Sequence, residues 1–433
     1  MAEMTFGDLL VQKDGLIKGP FGGDIKKSLF VPKSEDTYKV YEQGVVLNRD
    51  INRGDYYVSK EYFEKKLKRF EVKENDILLT GAGTLSELFV VPPNAPKGVI
   101  NQALLRIRLN KDVVNQDFFR YYFKYYIKSI ISNINGDSVI PNLPPLPIIK
   151  STVIDIPDIT YQQKIAAVLS ALDAKIELNQ RINAELESMA KTLYDYWFVQ
   201  YAYPLPSSPK WDGTSVPFGG GAEGGGGGLV WNEELKRNVP AGWEVDNIMK
   251  IADLFGGGTP KTSESSYWGG NIPFFTPKDT DDSVFVLNTL DYITEAGLES
   301  CSSRLYPKGT IFVTARGTVG NINVASQDMA MNQSCYALQA KPEINYYFLH
   351  QHSVHLVQYL KAKSNGSIFD AIVSNDIKLT PIVIPPLKLI QEFGETVKDM
   401  YEKILVNKKE SQTLTALRDW LLPMLMNGQI TVS

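Results

Sequence analysis

Between residues 158 and 200 one position in seven repeats its character: Ile165, Leu172, Asn179, Leu186 and Leu193. No Pro or Gly interrupts the stretch. Between 386 and 427 the same rung returns as Phe393, Met400, Asn407, Leu414 and Leu421, and an ungapped shift of 228 residues lays one series on the other. Gln163 then falls on Gln391, Asn179 on Asn407 and Leu186 on Leu414. A seven-residue rung held over four heptads predicts a long helix in a coiled-coil seam. Each helix should run roughly 40 residues, about 60 Å at 1.5 Å per residue. Gly394 falls near the start of the second and works against helix there. The third of five rungs is polar in both copies. In an antiparallel pair related by a twofold the central rungs meet, so Asn179 and Asn407 should approach within about 10 Å and fix the register at some cost in stability.

The segments before the helices also correspond. Asn75–Leu85 (NDILLTGAGTL) answers Gly309–Val319 (GTIFVTARGTV), and Val99–Ile107 (VINQALLRI) answers Ala330–Leu338 (AMNQSCYAL). Alternating apolar and β-branched residues between turn signals predict strands at 76–80, 87–91 and 103–109, and again at 272–276, 310–315, 321–325 and 335–339. Asn115 should cap an aromatic-rich helix ended by Asn135-Gly136, its Phe and Tyr side chains serving as core and rim, and a second helix should run from about 343 to 363. The chain therefore reads as a tandem duplication of α+β type: two globular α/β domains separated by two long helices in an antiparallel coiled coil, with pseudo-twofold symmetry. The expected bounds are 1–157, a helix over 158–200, a Gly-rich linker over 201–238, then 239–385, a helix over 386–427 and a tail over 428–433. Residues 230–244 (VWNEELKRNVPAGWE) should form a strap ending in a turn.

With 43% hydrophobic and 11% aromatic residues each domain can bury a full core. A net charge of −4 argues against nucleic-acid binding by bulk charge alone. The distribution is uneven: residues 1–157 carry 22 Lys+Arg against 19 Asp+Glu, and residues 239–385 carry 10 against 14. Any DNA contact would use local basic loops on a near-neutral body. Two cysteines, Cys301 and Cys335, make no disulfide framework, and no apolar run approaches the ~18 residues of a membrane span, so a soluble cytoplasmic protein is expected. The Gly tract within 218–228 has no Gly-Lys-Ser/Thr after it and is linker, not phosphate loop. No amino-methyltransferase NPPY-like element, CxxC or HExxH occurs; Asn142–Pro145 (NLPP) does not match the first. His352 and His355 would share a helix face beside His350, but nothing completes a metal shell and a polar helix face is expected. No catalytic residue and no metal ligand is assigned.

These features together resemble the specificity subunits of type I restriction–modification systems, over essentially the whole chain. The carrying residues are Ile156–Ile182 (IPDITYQQKIAAVLSALDAKIELNQRI), its partner from Ile384 to Leu422 beginning IPPLKLIQEF, Val239–Glu244 (VPAGWE), Gly256–Asp279 (GGGTPKTSESSYWGGNIPFFTPKD) and Gly19–Gly23 (GPFGG). The resemblance implies two target-recognition domains, each reading half of a bipartite site in the major groove of double-stranded DNA. It implies two modification (methyltransferase) subunits that carry S-adenosylmethionine, two restriction subunits that use ATP and Mg, and no cofactor or membrane contact in this chain.

For DNA contact the loop donors are the candidates. In the first domain these are Lys18, Lys26, Lys27, Arg49, Arg53, Lys65, Lys66, Lys68 and Arg69. In the second they are Thr259, Lys261, Lys278, Arg304, Arg316, Lys361 and Lys363. Arg316 stands out, in an ARGT turn of a domain with two arginines, because Arg pairs bidentately with guanine. Two other readings stay open: a pure assembly scaffold that reads no DNA, and a methyltransferase or nuclease acting alone.

Overall fold

The computed structural model describes residues 3–81, 87–135, 145–202, 228–363 and 371–432. The turn within 82–86, the stops at Gly136 and Gly366, the NLPP stretch before Pro145 and the Gly-rich tract lie outside them. The chain forms two compact units, Met1–Lys175 with Leu414–Ser433, and Ile176–Thr413.

In the first unit a four-stranded antiparallel sheet runs in the order Leu16–Lys18, Leu104–Ile107, Ile77–Thr80, Leu88–Val90. A second sheet runs Tyr57–Ser59, Thr37–Tyr41, Gly98–Ile100, Glu71–Val72, with its central pair parallel. Glu3–Thr5 pairs with Val153–Asp155 and closes the unit beside the helix that follows. The aromatic helix spans Gln116–Asn135, and the Asn115 side chain accepts from the Phe118 amide at 2.9 Å as its cap. Phe118, Phe119, Tyr122 and Phe123 are buried with Phe6, Ile165, Leu169 and Leu425. Tyr125 sits at the rim, its hydroxyl donating to Asn427 at 2.9 Å. This helix is core and rim, as its pattern indicates.

The second unit repeats the plan. Its main sheet runs Ala252–Gly256, Cys335–Ala340, Ile311–Thr314, Ile322–Ala325, with Phe285–Val286 added at the edge. A three-stranded sheet places Trp268–Phe275 between Asp291–Ile293 and Ala330–Met331. Glu244–Asn247 pairs with Pro381–Ile384 just as the first unit's terminal strand pairs with its last. The strands expected from alternation are all present, shifted by a few residues at most. The stretch expected as a strap is instead a hairpin, Leu229–Asn232 against Arg237–Pro240. The reason is local: the Asn232 side chain accepts from the amides of Glu234 and Leu235, at 3.1 and 2.9 Å, and Lys236 takes φ 51°, so the chain reverses tightly.

The first long helix spans Ile159–Tyr194 and continues through a wider turn at Asp195–Val199 that buries Trp197 and Phe198. The second spans Leu387–Met426. Gly394 does not break it. A Cβ there would come within 2.4 Å of the Asn345 side chain, which donates to the Ile390 carbonyl at 2.7 Å and caps the helix beginning at Tyr346. Glycine is required for that approach.

Within the second unit the two helices run antiparallel. Asn179 donates through Nδ2 to the Asn407 carbonyl at 3.4 Å and to Glu410 at 2.8 Å; Asn407 donates to Asn183 at 2.9 Å. The central rungs meet, as their place in the heptads requires. Within the first unit Arg418 binds Asp173 at 2.8 Å, and Tyr161 reaches the carbonyl of Ile430. All ten rung residues are buried or half-buried, and a second line, Leu169, Ile176, Asn183, Ala190 and Trp197 with Val397, Ile404, Ser411, Arg418 and Leu425, fills the alternate seam positions. The polar residues of that line, Asn183, Ser411 and Arg418, hid it from a search for apolar repeats.

Candidate nucleic-acid interface

In the second unit several turns gather at one rim. The Thr276–Thr280 turn is closed by Thr276 and Asp279, whose side chains meet at 2.8 Å, and it exposes Lys278. The Ala315–Gly320 turn lies beside it: Thr318 and Thr280 hydroxyls are 3.4 Å apart, and Asn321 donates to Thr280 at 3.2 Å. Gly317 and Gly320, at φ 84° and 77°, let this turn reverse where side chains would strain it. It presents Arg316, exposed, with its amide held by the Ser334 carbonyl at 3.3 Å. Among the described residues the Arg316 side chain takes no ion pair. Lys361 donates to the Gly320 carbonyl at 3.2 Å and supports the turn from the end of its helix.

The Asn332–Ser334 turn is the third, and Thr259, from the Gly-rich loop, donates its hydroxyl to Gln333. Gly257 in that loop is pressed on the turn, where a Cβ would stand 2.0 Å from the Asn332 carbonyl oxygen. Arg304 lies over Phe255, its guanidinium carbon 4.1 Å from the ring centroid, at the base of the same loop. Thus Thr259, Lys278, Arg316 and Lys361 are tied into one rim and Arg304 flanks it. Lys261 and Lys363 are exposed but belong to segments leading away from these bonds.

In the first unit Lys18 ends its strand and precedes an exposed tip at Phe21, 88% accessible, with Lys26 and Lys27 beyond it, both exposed. That loop is fixed from below: Ile25 packs with Phe63 and Leu67, and Tyr62 donates to the Asp24 carbonyl at 2.9 Å. The Lys65–Arg69 stretch, helical and anchored by Phe63 and Leu67, thereby shares a subcore with the Lys26–Lys27 turn. Ion pairs occupy part of it: Lys68 with Glu64 at 2.7 Å and Arg69 with Asp14 at 2.8 Å. Lys65 and Lys66 remain exposed without an ion pair among the described residues. Arg49, in the left-handed region at φ 51°, stands 3.7 Å from Glu87, and Arg53 packs across Gly44.

Two arginines that sequence reasoning passed over hold this unit together. Arg106 is buried and donates to the carbonyls of Asp14, Arg69 and Glu71; desolvation lowers its pKa to about 10. Arg108 clasps Asp76 with two bonds of 2.7 Å. Their place in an apolar strand was the available signal.

The histidines are not a polar helix face. His350 meets the Tyr401 hydroxyl and His352 the Tyr194 hydroxyl, each at 2.7 Å and fully buried, because the helix Tyr346–Lys363 packs between both long helices of its unit. An acid does adjoin the third: His355 contacts Asp195 at 2.7 Å. Among the described residues no cluster of His, Cys, Asp and Glu is arranged to hold a metal. Burial pushes the Cys335 thiol up to about 12. No described helix is long and apolar enough to cross a membrane.

Two repeat-related units, each presenting turns with hydrogen-bond donors and each including parts of both long helices, are the plan of a recognition protein. The family model for the type I restriction modification DNA specificity domain matches the chain twice, at residues 22–188 and 240–416. The chain belongs to that family and is a type I restriction–modification specificity subunit with two recognition domains; the domain is one of DNA specificity, not of methylation, and the subunit is non-catalytic. It is 27% identical over 89% of its length to the type I restriction enzyme MjaIX specificity subunit of Methanocaldococcus jannaschii, covering 86% of that protein. It is 28% identical to the HindI specificity subunit of Haemophilus influenzae, over 65% of this chain and 70% of that one. The crystal structure of a type I S subunit from M. genitalium shares the fold, with a TM-score of 0.56 at 18% identity over 98% of this chain and 95% of that one.

Proposed function

We propose that residues 1–157 and 239–385 each read one half of an asymmetric bipartite site in double-stranded DNA, and that the long helices set the gap between the halves. The observation that carries this is the repeat itself: one plan built twice, with different donors on the turns. The first unit offers Lys18, Lys26, Lys27, Lys65 and Lys66, the second Thr259, Lys278 and Arg316. Direct readout depends on which donors reach which base edges, so unlike rims read unlike half-sites. Helices of 36 and 40 residues are stiff rods of about 55–60 Å, which cannot alter the gap by a base pair without strain.

The outward faces of the helices serve as the platform for two modification subunits, which supply S-adenosylmethionine and methylate adenine. Two restriction subunits, using ATP and Mg, complete the nuclease in the cytoplasm. Exchanging residues 245–383 for the matching segment of a relative, with cognate modification subunits co-expressed, tests the reading by methylome sequencing. One half of the methylated sequence should change and the other stay. If both halves shift together, the division of labour is wrong.

A further inference from the structure

One turn on the rim is built alike in both units. In the first unit Asn101 turns the chain, its carbonyl accepting from Leu104 at 3.2 Å and its side chain from Ala103 at 3.0 Å. In the second Asn332 does the same, accepting from Cys335 at 3.3 Å and from Ser334 at 3.0 Å. A glycine from the neighbouring loop is pressed on each turn: a Cβ on Gly19 would stand 1.8 Å from the Asn101 oxygen, and one on Gly257 2.0 Å from that of Asn332. The following strand-end turn is held by the same peptide in both units, Gly81 by Ala103 and Ala315 by Ser334, each at 2.8 Å. What this assembly presents outward in both cases is a glutamine, Gln102 or Gln333, exposed. The asparagines hold the turns together, and neither glutamine is needed for that. Gln102 takes no side-chain hydrogen bond among the described residues, and Gln333 takes one, from Thr259.

We propose that Gln102 and Gln333 are equivalent register residues that donate to the DNA sugar–phosphate backbone, one in each half-site; the inference rests on the two-domain reading above. An exposed amide kept identical where the Lys and Arg around it differ serves what the two half-sites have in common, and that is the backbone, not the bases. The chemistry of Gln333 agrees. Bidentate reading of adenine needs the amide carbonyl as well as the NH2. Here the Thr259 hydroxyl takes one of the two lone pairs of the carbonyl and constrains it, while both N–H donors stay available to a phosphate oxygen. Held at a fixed point by the glycine contact, each glutamine would set the depth and phase at which the neighbouring loops, with Phe21 in one unit and Thr259 in the other, meet base edges.

The test uses the assembled complex with modification subunits, carrying Gln102→Ala, Gln333→Ala, both, or Gln333→Glu. Binding to duplexes with and without the site is measured, and the methylated sequence is read. Each alanine should weaken binding about 10-fold or more on both duplexes, about 10-fold being the low end for a lost bond to a charged group, and Gln102→Ala, which releases no neighbouring reading side chain, should leave the methylated sequence unchanged in both halves. The Gln333→Glu complex, with a carboxylate facing phosphate, should bind more weakly than the Gln333→Ala complex. Relaxed base choice in the Gln102→Ala complex would overturn the proposal in favour of base reading, and unchanged affinity would show the turn to be structural only. A wild-type complex that methylates no bipartite site would instead refute the underlying reading, and this inference with it.

Discussion

Replacing both Asn179 and Asn407 with Leu should stabilise the protein while loosening its register. Both side chains are at most 1% exposed, and the Oδ1 atom of each is buried without a partner. An unsatisfied buried carbonyl costs about 1–3 kcal/mol, so removing two returns roughly 2–6 kcal/mol. Against this stand the bonds to Asn183 at 2.9 Å and to Glu410 at 2.8 Å, the latter at an exposed carboxylate, with longer contacts of the Asn179 amide to Ser411 at 3.3 Å and the Asn407 carbonyl at 3.4 Å. Together they contribute about 2–3 kcal/mol. Burying two Leu side chains adds about 3–6 kcal/mol more, and the net gain is at least about 2 kcal/mol. What is lost is discrimination. With asparagines a slip of one heptad sets each amide opposite Met400 or Leu414, or Leu172 or Leu186, with no hydrogen-bond partner; with leucines it does not. Urea unfolding followed by helical circular dichroism measures the first effect, and the spread of gap lengths in the methylome measures the second. A double variant less stable than the parent by more than about 1 kcal/mol would show that the amide network contributes net stability, and the register argument would fail.

Burial pulls His350 and His352 down to about 4 and about 3. Unfolded histidine titrates near 6.5, so below that pH the unfolded chain binds more protons; stability is complete above about pH 6.5 and falls by up to about 2.7 kcal/mol per unit between 6.5 and 4. Unfolding midpoints across this range should show that slope, halved by His352→Gln. Gly257→Ala must force the Gly-rich loop off Asn332, costing about 1–3 kcal/mol and lowering affinity for one half-site; Gly256→Ala, with open space around it, should do neither in the same melts and binding assays. Arg316→Ala should relax one base position by about 1–3 kcal/mol and leave the other half-site untouched, read by methylome sequencing.

Much of the fold was legible because it depends on periodicity. The heptads located both helices within a few residues, and the ungapped shift identified the central asparagines before any geometry was known. Periodicity could not show the second seam line, since Asn183, Ser411 and Arg418 look like surface residues in sequence and find their partners only across the coil. The site was legible less evenly. Lysine counts single out Lys65–Arg69 but cannot say that Glu64 and Asp14, the latter far away in sequence, occupy two of its cations. The histidines read as polar because burial is a property of the helix's neighbours: Tyr194 and Tyr401 come from distant segments. The exposure of Arg316 was legible, because its turn is built by local glycines and threonines visible in the sequence.

On the proposed reading, the duplicated plan would let one chain hold two different specificities without two different folds. In each unit the glycine pressed on an asparagine carbonyl fixes a loop against a turn, and this contact tolerates no side chain. Two residues past that glycine the units diverge: Phe21, almost wholly exposed, in one, and Thr259, bonded to Gln333, in the other. An apolar ring can meet a thymine methyl, and a hydroxyl can meet donors or acceptors. Rigid attachment at the glycine and freedom at the tip are therefore complementary. On the proposed reading, a change at the tip would alter which base is met without disturbing the strand pairs beneath, because the tip takes no part in them. A change at the glycine displaces every neighbouring contact at once. Specificity of this kind can vary by substitution at a few exposed positions while the turns, the sheet order and the helical seam stay as they are.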